Sequence, residues 1–176
     1  MDCTFCRIVA ALAAGAESDD VLAPPVLETD RFVALLDAQP LVSAAYHLLL
    51  VPRAHFERLA DVAARPPALA DAGPLLAVLA AALRDVYGVA DCNIVQNNGP
   101  AAGQVVPHVH FHVVARAGAA VRPGAAPDPA YSALIYARGP RTDLEPGAAV
   151  VADALRAHIA RVYGPLDVLL AGRARL

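Results

Sequence analysis

The sequence predicts an α+β fold: an antiparallel sheet of about five strands with two main helices, and a further helix in a C-terminal extension. Three observations predict it. Short apolar runs separated by turn residues follow one another in the order of hairpins, which favours antiparallel pairing. Two segments carry apolar residues at helical spacing. The chain has 176 residues, of which 57% are apolar and 18% charged, as in one compact domain.

Helix ends and strand breaks are set by glycine and proline. Gly15 suits the end of the first helix and Gly88 the end of the longest one, because glycine adopts left-handed backbone angles easily. Pro52 stops the buried run that begins at Tyr46. The predicted elements of this half are a helix over 3–14, strands over 26–28, 32–36 and 46–51, a turn or two of helix over 55–63, and the longest helix over 74–87.

The second half begins with a strand, a glycine-bearing turn and a strand rich in histidine. The predicted elements are a strand over 91–96, the turn over 97–104, the histidine strand over 104–114, a loop over 117–130, an apolar segment over 131–136 and a helix over 148–163. Beyond Arg116 the composition changes to Gly, Pro and Ala. We therefore expect residues 1–116 to form the domain, and residues 117–176 to form a loop-rich extension packed on it.

Charge and hydropathy exclude several classes of function. The net charge of −3 and the pI of about 6.0 argue against binding of duplex nucleic acid. No apolar run reaches the roughly 18 residues of a membrane span, and the first residues lack the basic region of a signal peptide. We expect no membrane association and a cytoplasmic location.

Three of the six histidines lie at alternate positions, His108, His110 and His112. In an extended strand they share one face at steps of about 7 Å, while Val109 and the apolar residues that alternate with them face the core. A row of imidazoles packs no better than Val or Thr would, so the row indicates chemistry.

Cys3 and Cys6 supply two thiolates for a tetrahedral zinc site, whose other ligands would come from His47, His55 or the histidine strand. Simple burial or a redox pair is the alternative for the cysteines. A single catalytic metal held by all three strand histidines is excluded, because the first and third lie about 13–14 Å apart along a strand. At least one strand histidine is therefore available for other chemistry.

The turn over 97–104 carries Gly99 and Gly103, whose backbone N–H groups can approach an anion. Alone it is an ordinary hairpin turn. Beside a row of imidazoles it resembles a cradle for a phosphate next to a nucleophile, because neutral imidazole attacks phosphorus near pH 7.

These residues resemble the histidine-triad (HIT) superfamily of nucleotide hydrolases and transferases. The signature H-x-H-x-H followed by apolar residues matches 108–114. Residues 97–104 resemble the family's N-x-G…G-Q segment, residues 47–55 its H-x-L-V-x-P-K-x-H strand, and residues 3–8 the opening of its zinc-bearing members. The resemblance covers about residues 3–116.

The resemblance implies a HIT fold, a homodimer and a purine nucleotide or nucleotide conjugate as substrate. It implies that His110 attacks the α-phosphorus and that a nucleotidyl-histidine then passes to water. The remaining implied roles are phosphate contacts from Asn97, Gly103, Gln104 and His112, ribose contacts from Asp37, a base site at Phe5 and Ile8, and a structural Zn²⁺ on Cys3, Cys6, His47 and His108.

The chain departs from the family pattern at three places. Val105 stands where many members carry a serine that protonates the leaving group, so a nucleotide-binding or scaffold protein with little catalysis is the alternative. Tyr46 replaces a glycine, and the segment over 37–47 is two residues longer than usual. The extension carries Arg138 and Arg141, which could bind a polyphosphate or lie on a solvated surface.

Overall fold

The computed structural model describes residues 3–16, 19–116 and 140–171. The loop predicted over 117–130, the apolar segment predicted over 131–136 and Arg138 lie outside these ranges.

The predicted fold class is confirmed. Within the ranges given above, five antiparallel strands form one sheet in the order β1-β2-β3-β5-β4. The elements are α1 (Thr4–Ala14), β1 (Leu27–Glu28), β2 (Phe32–Leu36), β3 (Tyr46–Pro52), α2 (Ala72–Tyr87), β4 (Cys92–Val95), β5 (Phe111–Ala115), α3 (Ala148–Tyr163) and α4 (Leu166–Ala171), with 3-10 turns at Leu59–Ala64, Pro66–Leu69 and Pro100–Ala102. The helices α1 and α2 end at Gly15 and Gly88, both with left-handed backbone angles.

The central strand β3 is buried on both faces because each face is covered by helices. Leu48 and Leu50 point into the core that α2 and α3 share, whereas Leu49 and Val51 point towards α1. This period-two alternation places two hydrophobic layers on one strand. The face under α1 is the one that carries the site described below.

The histidine strand is shorter than predicted. β5 begins at Phe111, so His108 and His110 precede it in irregular backbone, and only His112 lies within the strand. The Val109 N–H donates to the carbonyl of Phe56, outside the sheet ladder, and the His110 ring donates to the His108 carbonyl. These hydrogen bonds compete with regular strand pairing.

The C-terminal extension returns to the segment that follows β2. Residues 140–144 pair with residues 38–42 through three backbone hydrogen bonds of 3.0 to 3.1 Å. The helix α3 then packs on α2 through Ala152, Leu155 and Ile159, all of them buried.

Within the described ranges, no helix combines the length and the apolar character that a membrane span requires.

Candidate active site

A cavity of about 370 Å³ opens between α1, the segment after β2 and the histidine segment. Phe5 and Ile8 of α1 form an apolar wall, which is where the base was predicted to lie. The other residues with predicted roles that line the cavity are Asp37, Asn97, Gly103, His110 and His112. Val105 and Arg141 line it as well.

His110 presents one ring nitrogen to this cavity as an acceptor. Its Nδ1 lies 2.6 Å from the carbonyl oxygen of His108. A carbonyl can only accept, so Nδ1 carries the proton and Nε2 keeps its lone pair. Burial lowers the pKa of His110, partly offset by that carbonyl and by Asp37. The neutral imidazole with a free Nε2 is the form that can attack phosphorus.

His112 is oriented by a chain of hydrogen bonds that starts at a backbone amide. The N–H of Leu41 donates to Nδ1 of His47 over 3.3 Å, so the proton of the neutral His47 ring is on Nε2. That Nε2 lies 3.0 Å from Nδ1 of His112, which must accept. The proton of His112 is therefore on its own Nε2. His112 also lines the cavity, so the donor of its ring there is the Nε2–H.

Burial keeps both of these imidazoles neutral. It lowers the pKa of His47 to about 4, although the nearby Asp37 carboxylate acts in the opposite direction. It lowers the pKa of His112 to about 2, with further lowering by His110, His47 and Arg141. Both rings are therefore uncharged at neutral pH.

Asp37 lies at the junction of this network and is buried. Its Oδ1 accepts from the N–H of Gln39 over 2.9 Å. Its Oδ2 accepts from Nη1 of Arg141 over 3.0 Å and lies 3.3 Å from Nε2 of His47. Asp37 borders the cavity, but its carboxylate is already engaged, so its contact with a ribose stays a prediction.

Gln104 does not line the cavity. Its side-chain oxygen accepts from the N–H of Gly99 over 2.6 Å, and its amide nitrogen donates to the carbonyls of Glu57 and Val106 over 2.7 and 3.0 Å. The predicted phosphate contact of Gln104 has no support in this geometry. Its side chain instead holds the loop that brings Asn97 and Gly103 to the cavity.

A second cluster lies behind Phe5 and contains sulfur. Nδ1 of His108 is 3.4 Å from Sγ of Cys3 and 3.6 Å from Sγ of Cys6. Nδ1 of His55 is 3.3 Å from Sγ of Cys6 and 3.2 Å from Nδ1 of His108. These four ligand atoms all lie within 4.8 Å of one another.

His47 is absent from this cluster, so its predicted role as a metal ligand is corrected. The physical reason is the antiparallel register. His47 pairs with Val114 at one end of β3, whereas the other end of β3 runs towards His108, whose ring contacts the carbonyl of Pro52. His55, which follows that end, takes the fourth place.

The donor set of the cluster fits a tetrahedral metal ion. With metal–sulfur bonds near 2.3 Å and metal–nitrogen bonds near 2.05 Å, neighbouring ligand atoms should be about 3.3–3.8 Å apart. The four contacts above range from 3.2 to 3.6 Å, close to that expectation. Nε2 of His108 donates to the carbonyl of Pro52 over 2.9 Å, which leaves its Nδ1 lone pair facing the thiols.

Sequence reasoning left His55 open among the candidate ligands and did not identify the role of His47 beside His112. The register of β3 against β5 would have identified both roles, because it places His47 near His112 and His55 near His108. The sequence allows Arg141 to contact a polyphosphate, but no spacing in it places Arg141 beside Asp37.

The chain matches the family model of the HIT domain over residues 21–119. An adenosine 5′-monophosphoramidase from Saccharomyces cerevisiae is 35% identical over 113 residues, covering 64% of this chain and 61% of the yeast protein. An adenylylsulfatase from Arabidopsis thaliana is 30% identical over 115 residues, covering 65% of this chain and 52% of the plant protein. The chain thus spans less than two thirds of the length of these two relatives.

Solved structures show the same fold. The crystal structure of a zinc-bound histidine triad family protein from Mycobacterium smegmatis aligns with a TM-score of 0.65 and 28% identity, covering 92% of this chain and 96% of that one.

Proposed function

This chain belongs to the HIT domain family, and on that premise we propose that it is a hydrolase that cleaves nucleotide conjugates at the α-phosphate through a nucleotidyl-histidine intermediate. The observation that carries the proposal is the geometry of His110, a buried neutral imidazole whose Nδ1 proton is held by the His108 carbonyl and whose Nε2 is left as a nucleophile. The yeast and plant relatives, by their names, act on adenosine 5′-phosphate derivatives.

The reaction has two displacement steps. In the first, the lone pair of His110 Nε2 forms a bond to the α-phosphorus while the bond from phosphorus to the leaving group breaks, and the leaving group takes that electron pair. In the second, water attacks the same phosphorus, the P–N bond breaks, and a nucleoside monophosphate is released with a proton to solvent. The Nε2–H of His112 stabilises the charge that develops on the phosphoryl oxygens in both steps.

The leaving-group side of the cavity lacks a hydroxyl donor. Val105 is 91% exposed there, in the position of the family's serine. Among the described residues that line the cavity, only Thr4 carries a hydroxyl, and it accepts a hydrogen bond from Arg7. We therefore expect conjugates whose leaving group departs as an anion, such as a sulfate or a phosphate, to react better than phosphoramidates, whose amine requires a proton.

We propose that Cys3, Cys6, His55 and His108 hold a zinc ion. Bound there, the ion would supply structural cross-linking, tying the start of α1 to the segment before β5. Because the Phe5 ring lies 5.7 Å from the ring of His108 and 5.0 Å from that of His110, fixing α1 also fixes the wall of the nucleotide cavity.

The purine base and the homodimer are part of the same proposal. An apolar wall suits a purine ring. Among the described strands β4 is an edge of the sheet, and a strand from a second copy would cover it. Size measurement in solution tests the dimer.

Hydrolysis of three adenosine conjugates, the 5′-phosphoramidate, the 5′-phosphosulfate and a diadenosine polyphosphate, tests the central proposal. We expect the wild-type protein to release AMP from at least one of them, and His110→Ala to reduce kcat by about a thousandfold or more, as loss of a nucleophile does. His158→Ala is the matched control, since His158 lies on α3 outside the cavity. Release of AMP by the His110 variant at the wild-type rate would contradict the proposal. A wild-type protein that binds AMP but hydrolyses no conjugate would favour the binding or scaffold alternative.

A further inference from the structure

Arg141 reaches the nucleotide cavity from outside the segment that resembles the family motifs. Residues 140–144 pair with residues 38–42, and a bridge joins Arg141 to Leu41. From this position Nη1 of Arg141 donates to the carbonyl of Gln39 over 2.6 Å and to Oδ2 of Asp37 over 3.0 Å. Backbone pairing and two hydrogen bonds therefore fix the guanidinium at the edge of the cavity, with the side chain 34% exposed.

Arg141 differs in charge from the other residues that line the cavity. Among the described residues that line the cavity, Arg141 is the single Lys or Arg, and the carboxylates are Asp20 and Asp37. Asp20 is paired with Arg7 outside the lining, at 2.7 Å. The two histidines of the lining are neutral at pH 7 by burial. Among these residues, the one permanent cation that a nucleotide phosphate can meet is therefore Arg141, which is paired with Asp37 at 3.0 Å.

The guanidinium is also close to His112, the histidine to which the proposed function assigns a phosphate contact. Arg141 and His112 approach the same carboxylate oxygen, Oδ2 of Asp37, at 3.0 and 3.9 Å. A guanidinium has five N–H donors in a planar fork, so it can keep a contact with Asp37 and still donate to a phosphate oxygen. The compact ammonium of a lysine could not span both in the same way.

We propose that Arg141 is a substrate-binding residue that donates to a phosphate oxygen of the bound nucleotide, so that the C-terminal extension forms part of the nucleotide site. This inference rests on the proposed function for the identity of the ligand as a nucleotide. It differs from a purely structural role, in which Arg141 would only clip the extension to Asp37.

Binding of AMP and of adenosine distinguishes the two roles, because the ligands share base and ribose and differ only in the phosphate. For Arg141→Gln we expect the Kd of AMP to rise about tenfold or more, the usual loss of a hydrogen bond to a charged group, while the Kd of adenosine is unchanged. Arg141→Lys should show a smaller rise. Arg161→Gln, which removes an arginine of α3 outside the cavity, is the matched control and should bind both ligands as the wild type does.

Because Arg141→Gln leaves Asp37 without this cation, a second comparison guards against misfolding. Asp37→Asn and the double variant Asp37→Asn with Arg141→Gln differ by the arginine alone, and neither leaves a buried carboxylate unpaired. We expect the double variant to bind AMP about tenfold more weakly than Asp37→Asn, with equal affinity for adenosine.

Three results would overturn the inference: equal loss of AMP and adenosine binding in the Arg141 variants, unchanged AMP binding in them, or no AMP binding by the wild-type protein. These measurements need no turnover. If AMP binds through Arg141 but no conjugate is hydrolysed, the proposed hydrolase fails and this inference stands. If conjugates are hydrolysed and Arg141→Gln binds AMP as the wild type does, the proposed hydrolase stands and the inference about Arg141 fails.

Discussion

Two clusters of imidazoles each contain one of the histidines two positions from His110, and they differ in the partners of their rings. The first joins His55 and His108 to two cysteine sulfurs. The second joins His47 and His112 to one carboxylate, that of Asp37. The first cluster has four ligand atoms and the second has three, and in each cluster these atoms lie within 4.8 Å of one another. Proximity alone therefore does not distinguish the two clusters.

The hydrogen bonds distinguish them. In the sulfur cluster, the outer nitrogen of His108 donates to a carbonyl and its inner lone pair faces the thiols, as a metal ligand requires. In the carboxylate cluster, Leu41, His47 and His112 form a directed donor chain, and Arg141 already balances the carboxylate of Asp37. We infer that the first cluster is suited to a metal ion and the second to positioning a proton.

The largest difference that we expect between variants of the two clusters is in their metal content. We expect about one zinc ion per chain in wild-type protein, loss of that ion in Cys3→Ser and His55→Asn, and retention in His47→Asn. Loss of the ion should lower the free energy of unfolding by about 3 kcal/mol or more, since binding of a structural metal adds directly to folding. Elemental analysis and denaturant unfolding measure both effects.

Cys92→Ser is the control for the cysteine variant, because Cys92 lies on β4, outside the sulfur cluster, and should keep the metal. Retention of zinc by His55→Asn together with its loss in His47→Asn would reverse our assignment of the two clusters.

Acid should destabilise the fold through the carboxylate cluster. The folded pKa values of His47 and His112 lie at about 4 and about 2, below the unfolded value of 6.5. The unfolded chain therefore takes up protons first as pH falls, and stability that is fully present above pH 6.5 is lost as the pH drops towards the folded pKa values. Each group contributes a slope of about 1.4 kcal/mol per pH unit in that window.

Urea unfolding between pH 7.5 and 5 measures this slope, with metal content followed at each pH to separate acid release of zinc. In His47→Leu the slope of the free energy of unfolding against pH should decrease by the contribution of one histidine, since His47 no longer takes up a proton on unfolding. A slope that is unchanged in this variant would show that His47 does not titrate as its burial implies.

Removal of the donor at His47 should reduce catalysis without removing metal. We expect His47→Leu to lower kcat by about ten- to a hundredfold, because His112 Nδ1 loses its donor and the ring can take the other tautomer. His47→Gln, whose amide can donate near the position of Nε2, should recover part of the loss. Equal losses in both variants would argue against the tautomer role.

Val105 lies in neither cluster and gives the smallest effect. Because its side chain is 91% exposed, Val105→Ser should change the free energy of unfolding by less than about 0.5 kcal/mol. It should raise kcat/KM for the phosphoramidate by up to about tenfold, since a hydroxyl can pass a proton to the amine, and leave the phosphosulfate unchanged. A gain for both substrates would point to a different role of this position.

Most of the fold was predictable because its signals are local. Helical spacing between 3 and 14, the run from Tyr46 to Pro52 and the helix-ending glycines at 15 and 88 each depend on nearby residues, and the observed elements agree within a few residues. The start of β5 was placed too early because hydrogen bonds from distant groups, such as the Phe56 carbonyl, compete with the strand ladder.

Site roles that depend on long-range pairing were harder to predict. The choice between His47 and His55 required the register of β3 against β5, in which each step forward on one strand is a step back on the other. The position of Gln104 depends on carbonyls of separate segments, and that of Arg141 on a return of the chain after about a hundred residues. No local spacing encodes either contact.

Trapping of the intermediate tests the central claim most directly. Protein mixed with the adenosine phosphosulfate, quenched at alkaline pH within one turnover and analysed by intact mass and peptide mapping should carry one adenylyl group, located on His110. His110→Ala should carry none, and His158→Ala should behave as the wild type does. An adenylyl group on another residue, or AMP release by the wild type with no covalent adduct at any time in the first turnover, would contradict the account.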